Sequence, residues 1–406
     1  MAAPQGSRSA PPRARRALSN QGGDVRVRDG SDEGDARVLV AALAATAREV
    51  ERGTHGFHAY PARMHPEVAR LVIGAWAKPG ARVLDPFCGS GTVLIEASVA
   101  GCEATGVDLN PLALRVAEVC TSVRGRGARQ RFERALAGVT EASLERVQGR
   151  VKVRAPLSAQ ERAFYAPHVL LELAGLFEEI QAVGERADRR ALEVVFSTLL
   201  VKFSKQQSDT SERLVEKRIR KGLVSEFFLK KGRELSARWA ELAAAVPRPP
   251  PPLRLRQGDA RELPQVIGAR VRFDLVLSSP PYGGTYDYVA HHARRYPWLG
   301  IDARELERRE VGARRNLSQV EGGAQRWERE LRACLRAMAK VVKRRGRVVL
   351  LVGDAELGRR RLDAAAQLAE LAPKAGLQLT AAVSQARRDA RGARARREHL
   401  VLLVPR

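Results

Sequence analysis

Three acidic residues and one proline-rich tetrapeptide are the parts of this chain whose residue types and spacing suit chemistry. Asp85, Asp108 and Asp259 each follow a run with the length and composition of a short strand. The tetrapeptide at residues 279–282, Ser-Pro-Pro-Tyr, follows a fourth such run. Because neither proline offers an N–H group and both have a fixed φ, a paired strand cannot continue through them. The sequence therefore predicts a rigid turn, lined by carbonyl oxygens, at the carboxyl end of a strand.

A glycine-containing turn follows the first of these acids. Gly89 and Gly91 lie in it, and an apolar helix is predicted at residues 93–100. Glycines let the backbone approach a ligand closely, and free N–H groups lie at the start of a helix. The carboxylate of Asp85 would repel a pyrophosphate but attract a cationic ligand. Asp108 comes about 20 residues after the turn, the spacing of an acid that binds ribose hydroxyls. These residues together predict a nucleoside cofactor site.

The charge balance predicts a polyanionic partner. The 406 residues include 71 Lys and Arg against 46 Asp and Glu, a net charge of +25, which nucleic acid would match most simply. The four cysteines form no CxxC pair, so neither a disulfide framework nor a metal site is predicted, and a reducing cytoplasm is the expected compartment. No apolar run is long enough for a membrane span, and the N-terminus lacks the apolar region of a signal peptide.

The order of predicted elements indicates an α/β domain divided by an insertion. Residues 1–35 lack apolar periodicity and are predicted to form a disordered basic tail. Residues 36–122 and 249–406 carry the strands and helices of the domain. Seven strands are predicted, and the last two are adjacent without a helix between them. This pattern predicts a mostly parallel sheet with an antiparallel last strand at its edge.

The segment 123–248 is predicted to be a helical insertion that recognises the target. Helices are expected at 161–183, 190–203, 211–220 and 224–245, followed by a stiff polyproline spacer. Basic, hydroxyl and amide side chains together are the mixture that contacts phosphates and base edges, although an insertion that only caps the sheet is the alternative. The candidate nucleic-acid contacts are Lys205, Arg213, Lys217, Arg218, Lys230, Lys231 and, after the tetrapeptide, Tyr286.

These motifs resemble the amino-methylating family of S-adenosylmethionine-dependent nucleic-acid methyltransferases. Residues 85–92 are similar to the family's cofactor loop, and residues 106–108 to its ribose-binding strand end. Residues 279–282 resemble its catalytic tetrapeptide, in the Ser form associated with N4-cytosine enzymes. Residues 60–63 are similar to the segment that closes over the methionine end of the cofactor.

The resemblance implies a Rossmann-like class I methyltransferase fold and S-adenosylmethionine as the cofactor. It covers about residues 51–120 and 251–406. Asp259, at a strand end, is placed to accept a hydrogen bond from an adenine amino group. The candidate cofactor-binding residues are Tyr60, Arg63, Asp85, Phe87, Gly89, Gly91, Thr92, Asp108, Leu109, Asp259 and Ala260.

The implied reaction is a direct displacement in which an exocyclic amino nitrogen attacks the sulfonium methyl. The nitrogen lone pair is delocalised into the ring, so the site must favour tetrahedral nitrogen by accepting hydrogen bonds from its two hydrogens. The Ser279 hydroxyl and the Pro280 carbonyl are the candidate acceptors, and Pro281 holds that carbonyl in a fixed direction. Tyr282 is predicted to stack on the base. A base inside a duplex would have to be flipped out, at roughly a few kcal/mol.

Site-specific N4-cytosine methylation of DNA is the predicted activity, and three alternatives stay open. One is guanine-N2 methylation of tRNA by enzymes that share the cofactor loop but usually carry Asp in the tetrapeptide. Another is N6-adenine methylation of DNA. The third is a non-catalytic nucleic-acid-binding protein, which the intact Asp85, Asp108 and residues 279–282 argue against. The resemblance also makes a restriction endonuclease a candidate partner.

Overall fold

The described part of the chain begins within the predicted disordered tail. The computed structural model describes residues 23–47, 50, 52–61, 63–209, 211–318, 320–357, 360–388 and 395–406. Residues 1–22 of the tail lie outside this set, but residues 23–35 do not form a tail. Arg26–Val27 is a strand, and the Asp32 side chain accepts a hydrogen bond from the Asp35 N–H to cap a helix. The predicted boundary is wrong here because a two-residue strand has no periodicity to detect.

Twelve strands occur in the described residues, eight of them in one central sheet. In chain order they are β1 (Arg26–Val27), β2 (Arg82–Asp85), β3 (Glu103–Asp108), β4 (Gln206–Ser208), β5 (Ser211–Leu214), β6 (Leu253–Gln257), β7 (Phe273–Ser278), β8 (Val342–Gly353), β9 (Ala355–Leu357), β10 (Arg360–Leu362), β11 (Leu377–Arg388) and β12 (Ala395–Pro405). The central sheet has the order β1-β11-β12-β8-β7-β2-β3-β6. The other strands form two antiparallel hairpins, β4–β5 and β9–β10.

The sheet topology confirms the predicted fold class, an α/β Rossmann-like class I methyltransferase fold with an antiparallel last strand. Strands β6, β3, β2, β7 and β8 are parallel, and β12 is antiparallel to both of its neighbours. Two details are wrong. The last strand lies inside the sheet, between β8 and β11, and β1 adds an eighth strand at the edge. The strand order reverses between β2 and β7, the position where open α/β sheets bind ligands.

Fifteen α-helices occur in the described residues, and none of them is long and apolar enough to cross a membrane. They are α1 (Glu33–Ala44), α2 (Pro66–Trp76), α3 (Thr92–Val99), α4 (Pro111–Cys120), α5 (Arg126–Gln148), α6 (Ala159–Arg162), α7 (Pro167–Gln181), α8 (Arg186–Phe203), α9 (Leu223–Ala245), α10 (Leu263–Ile267), α11 (Tyr288–His292), α12 (Arg304–Arg309), α13 (Arg314–Leu317), α14 (Gly323–Val341) and α15 (Ala364–Leu371). Short 3-10 helices lie at Ala45–Ala47, Ala260–Glu262 and Pro373–Ala375.

The insertion has an apolar core of its own that is continuous with the main domain. Helices α5, α7, α8 and α9 pack together around buried side chains such as Phe132 and Phe196. Trp239 joins this core to α4, because its indole N–H donates to the Val119 carbonyl at 2.8 Å. The helix predicted at 211–220 is absent: β5 and an extended segment occupy these residues. Alternating exposed charges replace the apolar face that a packed helix needs there.

Replacing Gly106 by Ala should destabilise the fold. A Cβ at this position in β3 would lie 2.6 Å from Leu94 Cδ1 of α3 and 3.0 Å from Cys88 Sγ. Overpacking of this kind costs typically about 1–3 kcal/mol of the free energy of unfolding. Urea denaturation would measure the loss.

Gly138→Ala is the matched control. This glycine lies within α5, and a Cβ there would meet nothing within 4 Å. The alanine should stabilise the helix by up to about 1 kcal/mol. An unchanged midpoint for G106A, or a loss for G138A similar to that expected for G106A, would contradict the packing argument.

Candidate active site

A single cavity brings most of the motif residues together. It lies beyond the carboxyl ends of β2, β3, β6 and β7, and its wall is formed by side chains from several separate segments of the chain. The predicted residues in its wall are Tyr60, Arg63, Asp85, Phe87, Gly89, Thr92, Asp108, Leu109, Asp259, Ala260, Ser279 and Pro281. The predicted residues Gly91, Pro280 and Tyr282 are not in this wall.

Asp85 links the cofactor side of the cavity to the catalytic strand. It ends β2 and is only 4% exposed. The Ser278 hydroxyl, at the end of neighbouring β7, donates to Asp85 Oδ1 at 2.6 Å, and the Phe87 N–H donates to the same oxygen at 3.1 Å. Burial raises the pKa of Asp85 to about 7 despite these hydrogen bonds. A cationic ligand would lower this pKa, because it favours the carboxylate.

Asp108 holds the glycine turn against the end of β3. Its Oδ2 accepts from the Gly89 N–H at 2.9 Å, and its Oδ1 accepts from the Asn110 N–H at 2.8 Å. Burial again is the main cause that raises the pKa of this carboxyl, here to about 6. The site therefore contains one buried and one half-buried carboxyl, and the pKa of each is raised towards neutral.

The two glycines of the turn have different roles. Gly89 has φ +48°, and a Cβ there would lie 3.2 Å from the ring of Tyr60, so the turn is covered closely by that ring. Gly91 has φ +89° and precedes α3, and a Cβ there would lie 3.2 Å from the Thr121 side chain at the end of α4. Gly91 thus lets two helices approach each other rather than lining the cavity.

Aromatic side chains cover one side of the cavity. The Tyr60 ring stacks on Tyr288 with centroids 6.4 Å apart and lies 4.8 Å from the ring of buried His292. Asn110 Nδ2 donates to the Tyr60 hydroxyl at 3.4 Å. Tyr288 follows the tetrapeptide in the chain, and its N–H donates to Glu310 Oε1 at 2.6 Å. The predicted closing segment is therefore packed against the segment that follows the catalytic turn.

Asp259 lines the cavity, but its carboxylate already accepts hydrogen bonds from two arginines. Arg261 donates from its backbone N–H and its guanidinium, with 2.6 Å between Nη2 and Asp259 Oδ2, and Arg309 Nε donates to the same oxygen at 3.1 Å. Burial opposes ionisation, yet the hydrogen bonds and charges of these arginines outweigh it and lower the pKa of Asp259. This carboxylate is available to an adenine amino group only together with its arginine partners.

The tetrapeptide lies between two cavities. Ser279 and Pro281 face the large cavity, whereas Pro280 and Tyr282 line a smaller, mostly apolar one together with Trp327. The Tyr282 hydroxyl donates to Glu398 Oε1 on β12 at 3.0 Å. Its ring lies so close to β8 that a Cβ on Gly353 would be 2.5 Å away. In this conformation Tyr282 packs on the sheet and does not face the large cavity.

Two of the predicted nucleic-acid contacts are engaged inside the protein. The Lys217 ammonium donates to three carbonyl oxygens, at 2.6 Å to Gln206, 3.0 Å to Lys202 and 3.3 Å to Val201. Burial lowers its pKa. Lys231 lies 4.6 Å from the centre of the Phe57 ring. These two side chains stabilise the insertion.

The remaining candidates lie nearer to solvent. Arg213, Arg218 and Lys230 are exposed, and Lys205 pairs with Glu216 at 3.3 Å. Tyr286 lies 5.7 Å from the His291 ring, between ring centres.

A hydrogen bond and an ion pair join the β4–β5 hairpin to the segment that contains His291. His291 Nδ1 lies 2.9 Å from the Asp209 carbonyl, and Arg295 pairs with the Asp209 carboxylate. The hairpin, which includes exposed Gln207, is thereby held beside the segment that follows the tetrapeptide.

Several site residues were not predicted. Ser278 and Asn110 directly adjoin motif residues, so their positions beside Ser279 and Asp108 were the available signal. Tyr288, Glu310 and Glu398 come from other segments, and only the fold brings them to the site.

One group in the described residues has the composition of a metal site, although no metal is predicted. Asp354, Asp363 and His399 place one ligand atom each within 4.8 Å of one another. Both ring nitrogens of His399 already make hydrogen bonds, at 2.8 Å to Asp354 and 2.7 Å to Ser384. These bonds give the group a structural role in joining β8, β11 and β12.

Comparison with known proteins finds short matches to methyltransferases. The tRNA (guanine(10)-N2)-dimethyltransferase of Methanothermobacter thermautotrophicus is 44% identical over 52 residues, which cover 13% of this chain and 16% of that protein. The type II methyltransferase M.MvaI of Kocuria varians is 40% identical over 72 residues, covering 17% of this chain and 16% of that protein. The chain thus matches less than a fifth of the length of these two relatives.

Among solved structures, TrmN from Thermus thermophilus aligns with a TM-score of 0.32 and 15% identity, over 84% of this chain and 49% of that one. The DNA methylase family model matches residues 41–119. These residues contain the closing segment, the glycine turn and Asp108, and they end before the insertion and the tetrapeptide. The part of the chain that forms the cofactor side of the cavity is therefore similar to DNA methylases.

Proposed function

We propose that this protein is a site-specific DNA methyltransferase that methylates the exocyclic N4 amino group of cytosine. The observation that carries the proposal is the hydrogen bond from Ser278 to Asp85. It places the acid at the end of the cofactor strand directly beside the residue that precedes the catalytic tetrapeptide. Ser279 and Pro281 then share one cavity with Asp85 and Asp108.

S-adenosylmethionine is the cofactor that fits this cavity, and when bound it supplies an electrophilic methyl group. The carboxylates of Asp85 and Asp108 attract its positive charge and its ribose hydroxyls. The Tyr60 ring covers the turn at Gly89 and excludes water from that side. Phe87 and Leu109 would supply apolar contacts to the adenine ring, next to the chain at Asp259 and Ala260, because all four residues line the cavity.

The tetrapeptide provides the groups that act on the target base. The Ser279 hydroxyl and the Pro280 carbonyl accept hydrogen bonds from the amino hydrogens, so the nitrogen lone pair is directed away from the ring. Pro281 keeps the carbonyl of Pro280 in a fixed direction. Tyr282 would stack on the base after exchanging its packing against Gly353 for packing against the base. Holding nitrogen, methyl and sulfur in line supplies much of the rate enhancement.

The Ser at position 279 favours cytosine N4, and the similarity to M.MvaI supports DNA as the substrate. The similarity to a tRNA guanine-N2 methyltransferase keeps tRNA as the second candidate substrate, and adenine N6 is the third. A restriction endonuclease partner and a cytoplasmic location stay predictions. Cys88, Cys102, Cys120 and Cys334 are free thiols, in agreement with a reducing compartment.

Methyl transfer from labelled S-adenosylmethionine to DNA and to tRNA, followed by nucleoside analysis, tests the proposed activity. N4-methylcytosine should form with DNA only. Ser279→Ala should lower kcat by about 100-fold, because one acceptor of the amino hydrogens is lost, while cofactor affinity stays unchanged. Label on guanine N2 of tRNA, or full activity of S279A, would overturn the assignment.

Cofactor affinity should fall as the pH decreases. The pKa values of Asp85 and Asp108 are raised to about 7 and about 6, and the cofactor binds the deprotonated forms. Between about pH 8 and about pH 6 the Kd should therefore increase about tenfold or more. Isothermal titration would measure the change, and Asp85→Asn should flatten the profile near neutral pH. A Kd independent of pH would contradict the role of these acids.

The same groups affect the ligand-free protein in the opposite direction. Their raised pKa values mean that the folded state binds more protons than the unfolded chain between about pH 4 and about pH 7. Their contribution to the free energy of unfolding therefore increases as the pH falls through this range, so these two groups do not destabilise the fold while the cofactor affinity decreases.

Tyr282→Ala should reduce kcat/KM by roughly 5- to 150-fold, the loss expected when one base–aromatic stack is removed. Tyr282→Phe keeps the ring but loses the hydrogen bond to Glu398, so it separates the contribution of stacking from that of the hydrogen bond. Steady-state kinetics would compare both variants. Cofactor binding should be unaffected in either, and a fully active Y282A would exclude the stacking role.

A further inference from the structure

A stripe of positive charge runs along one face of α14 outside the candidate active site. Arg329, Arg332, Arg336 and Lys340 are spaced by three or four residues, so their side chains lie on the same face of the helix. They form one wall of a groove. The opposite wall is formed by Arg261, Pro264 and Gln265, from the 3-10 helix at Ala260–Glu262 and from α10.

The cations of this stripe have no anionic partners among the described residues. Arg329, Arg336 and Lys340 are exposed, Arg332 is half-buried, and none of the four makes an ion pair there within 4 Å. Arg326, one turn earlier on α14, differs, because it pairs with Glu330 at 3.0 Å. Four uncompensated cations in one row repel each other, so a bound polyanion would lower the free energy of this surface.

The dimensions of the stripe suit the backbone of a nucleic acid. Eleven residues separate its first and last cations, which corresponds to roughly 16 Å along a helix. One strand of duplex DNA carries a phosphate about every 3.4 Å along its axis, so the stripe can face about five phosphates. Evenly spaced cations without aromatic side chains between them suit phosphate binding rather than base stacking.

The stripe starts next to the catalytic turn. Trp327 lies two residues before Arg329 on the buried face of α14, and a Cβ on Gly283 would be only 2.9 Å from the indole ring. Gly283 directly follows Tyr282. The first turns of α14, where the stripe begins, therefore pack against the segment that follows the tetrapeptide.

We propose that the groove between α14 and α10 binds the phosphate backbone of the DNA duplex that flanks the target base. This inference rests on the proposed function for its ligand. It adds a binding surface on the helix layer beside the sheet, separate from the insertion. Its contacts give affinity and orientation but no sequence preference.

The double variant R329Q/R336Q tests the groove. Both residues are exposed, so the variant should fold normally, with the unfolding midpoint and cofactor Kd of the wild type. Fluorescence anisotropy with a labelled DNA duplex at several salt concentrations would give the slope of log K against log salt. Loss of two phosphate contacts should reduce the magnitude of that slope by about 2 and raise the KM for DNA while kcat is unchanged.

R26Q/R37Q is the matched control, because it removes the same charge from two exposed arginines, in β1 and α1, that lie in neither the groove nor the insertion. It should keep the wild-type slope. An unchanged slope for R329Q/R336Q, or a loss seen with tRNA but not with duplex DNA, would overturn the inference while methyl transfer by the wild type still supports the proposed function. DNA binding that depends on the groove without any methyl transfer would overturn the function alone. A wild-type protein that binds no DNA would contradict both.

Discussion

The constraint on which the site depends is a pair of carboxyl groups next to the strand-order reversal, one of them buried and the other half-buried. Asp85 and Asp108 are taken out of water at the ends of neighbouring strands, which costs free energy unless hydrogen bonds or a cation compensate. The fold supplies only part of the compensation, through the Ser278 hydroxyl and the N–H groups of the turn. The remainder is available to a positively charged ligand. The cavity thus favours a positively charged ligand, independently of contacts with the uncharged parts of that ligand.

The residues of the candidate site could be expected to lie together because they share one geometric rule. The carboxyl ends of parallel strands meet at one edge, so Asp85, Asp108 and Ser279 had to come together once the strands were recognised. The same rule says nothing about side-chain direction. Tyr282 shows the limit: its partners, Glu398 and Gly353, come from strands far along the chain. The sequence also did not reveal that β12 lies inside the sheet, because strand pairing joins residues that are far apart in the chain.

Charge patterns in the sequence did not reveal which cations are free to contact a ligand. Lys217 and Lys231 are basic residues in a basic insertion, yet one binds backbone carbonyls and the other lies over an aromatic ring. The cations of the stripe on α14 differ from these two lysines, because none of them makes an ion pair within 4 Å among the described residues. Burial and ion pairing decide whether a cation is available, and both are set by neighbours that sequence spacing does not reveal.

Arg261 belongs to both the cavity and the groove. It donates to Asp259 in the cavity wall, and it also lines the groove beneath α14. A phosphate bound to this guanidinium would weaken its hydrogen bonds to Asp259. A ligand that hydrogen-bonds to Asp259 would in turn change how strongly the guanidinium attracts the phosphate. Binding of a ligand in the cavity and binding of a phosphate in the groove are therefore thermodynamically coupled. The coupling must be reciprocal, so each ligand changes the affinity for the other by the same factor. A single side chain would in this way make the affinity for either ligand depend on whether the other is bound.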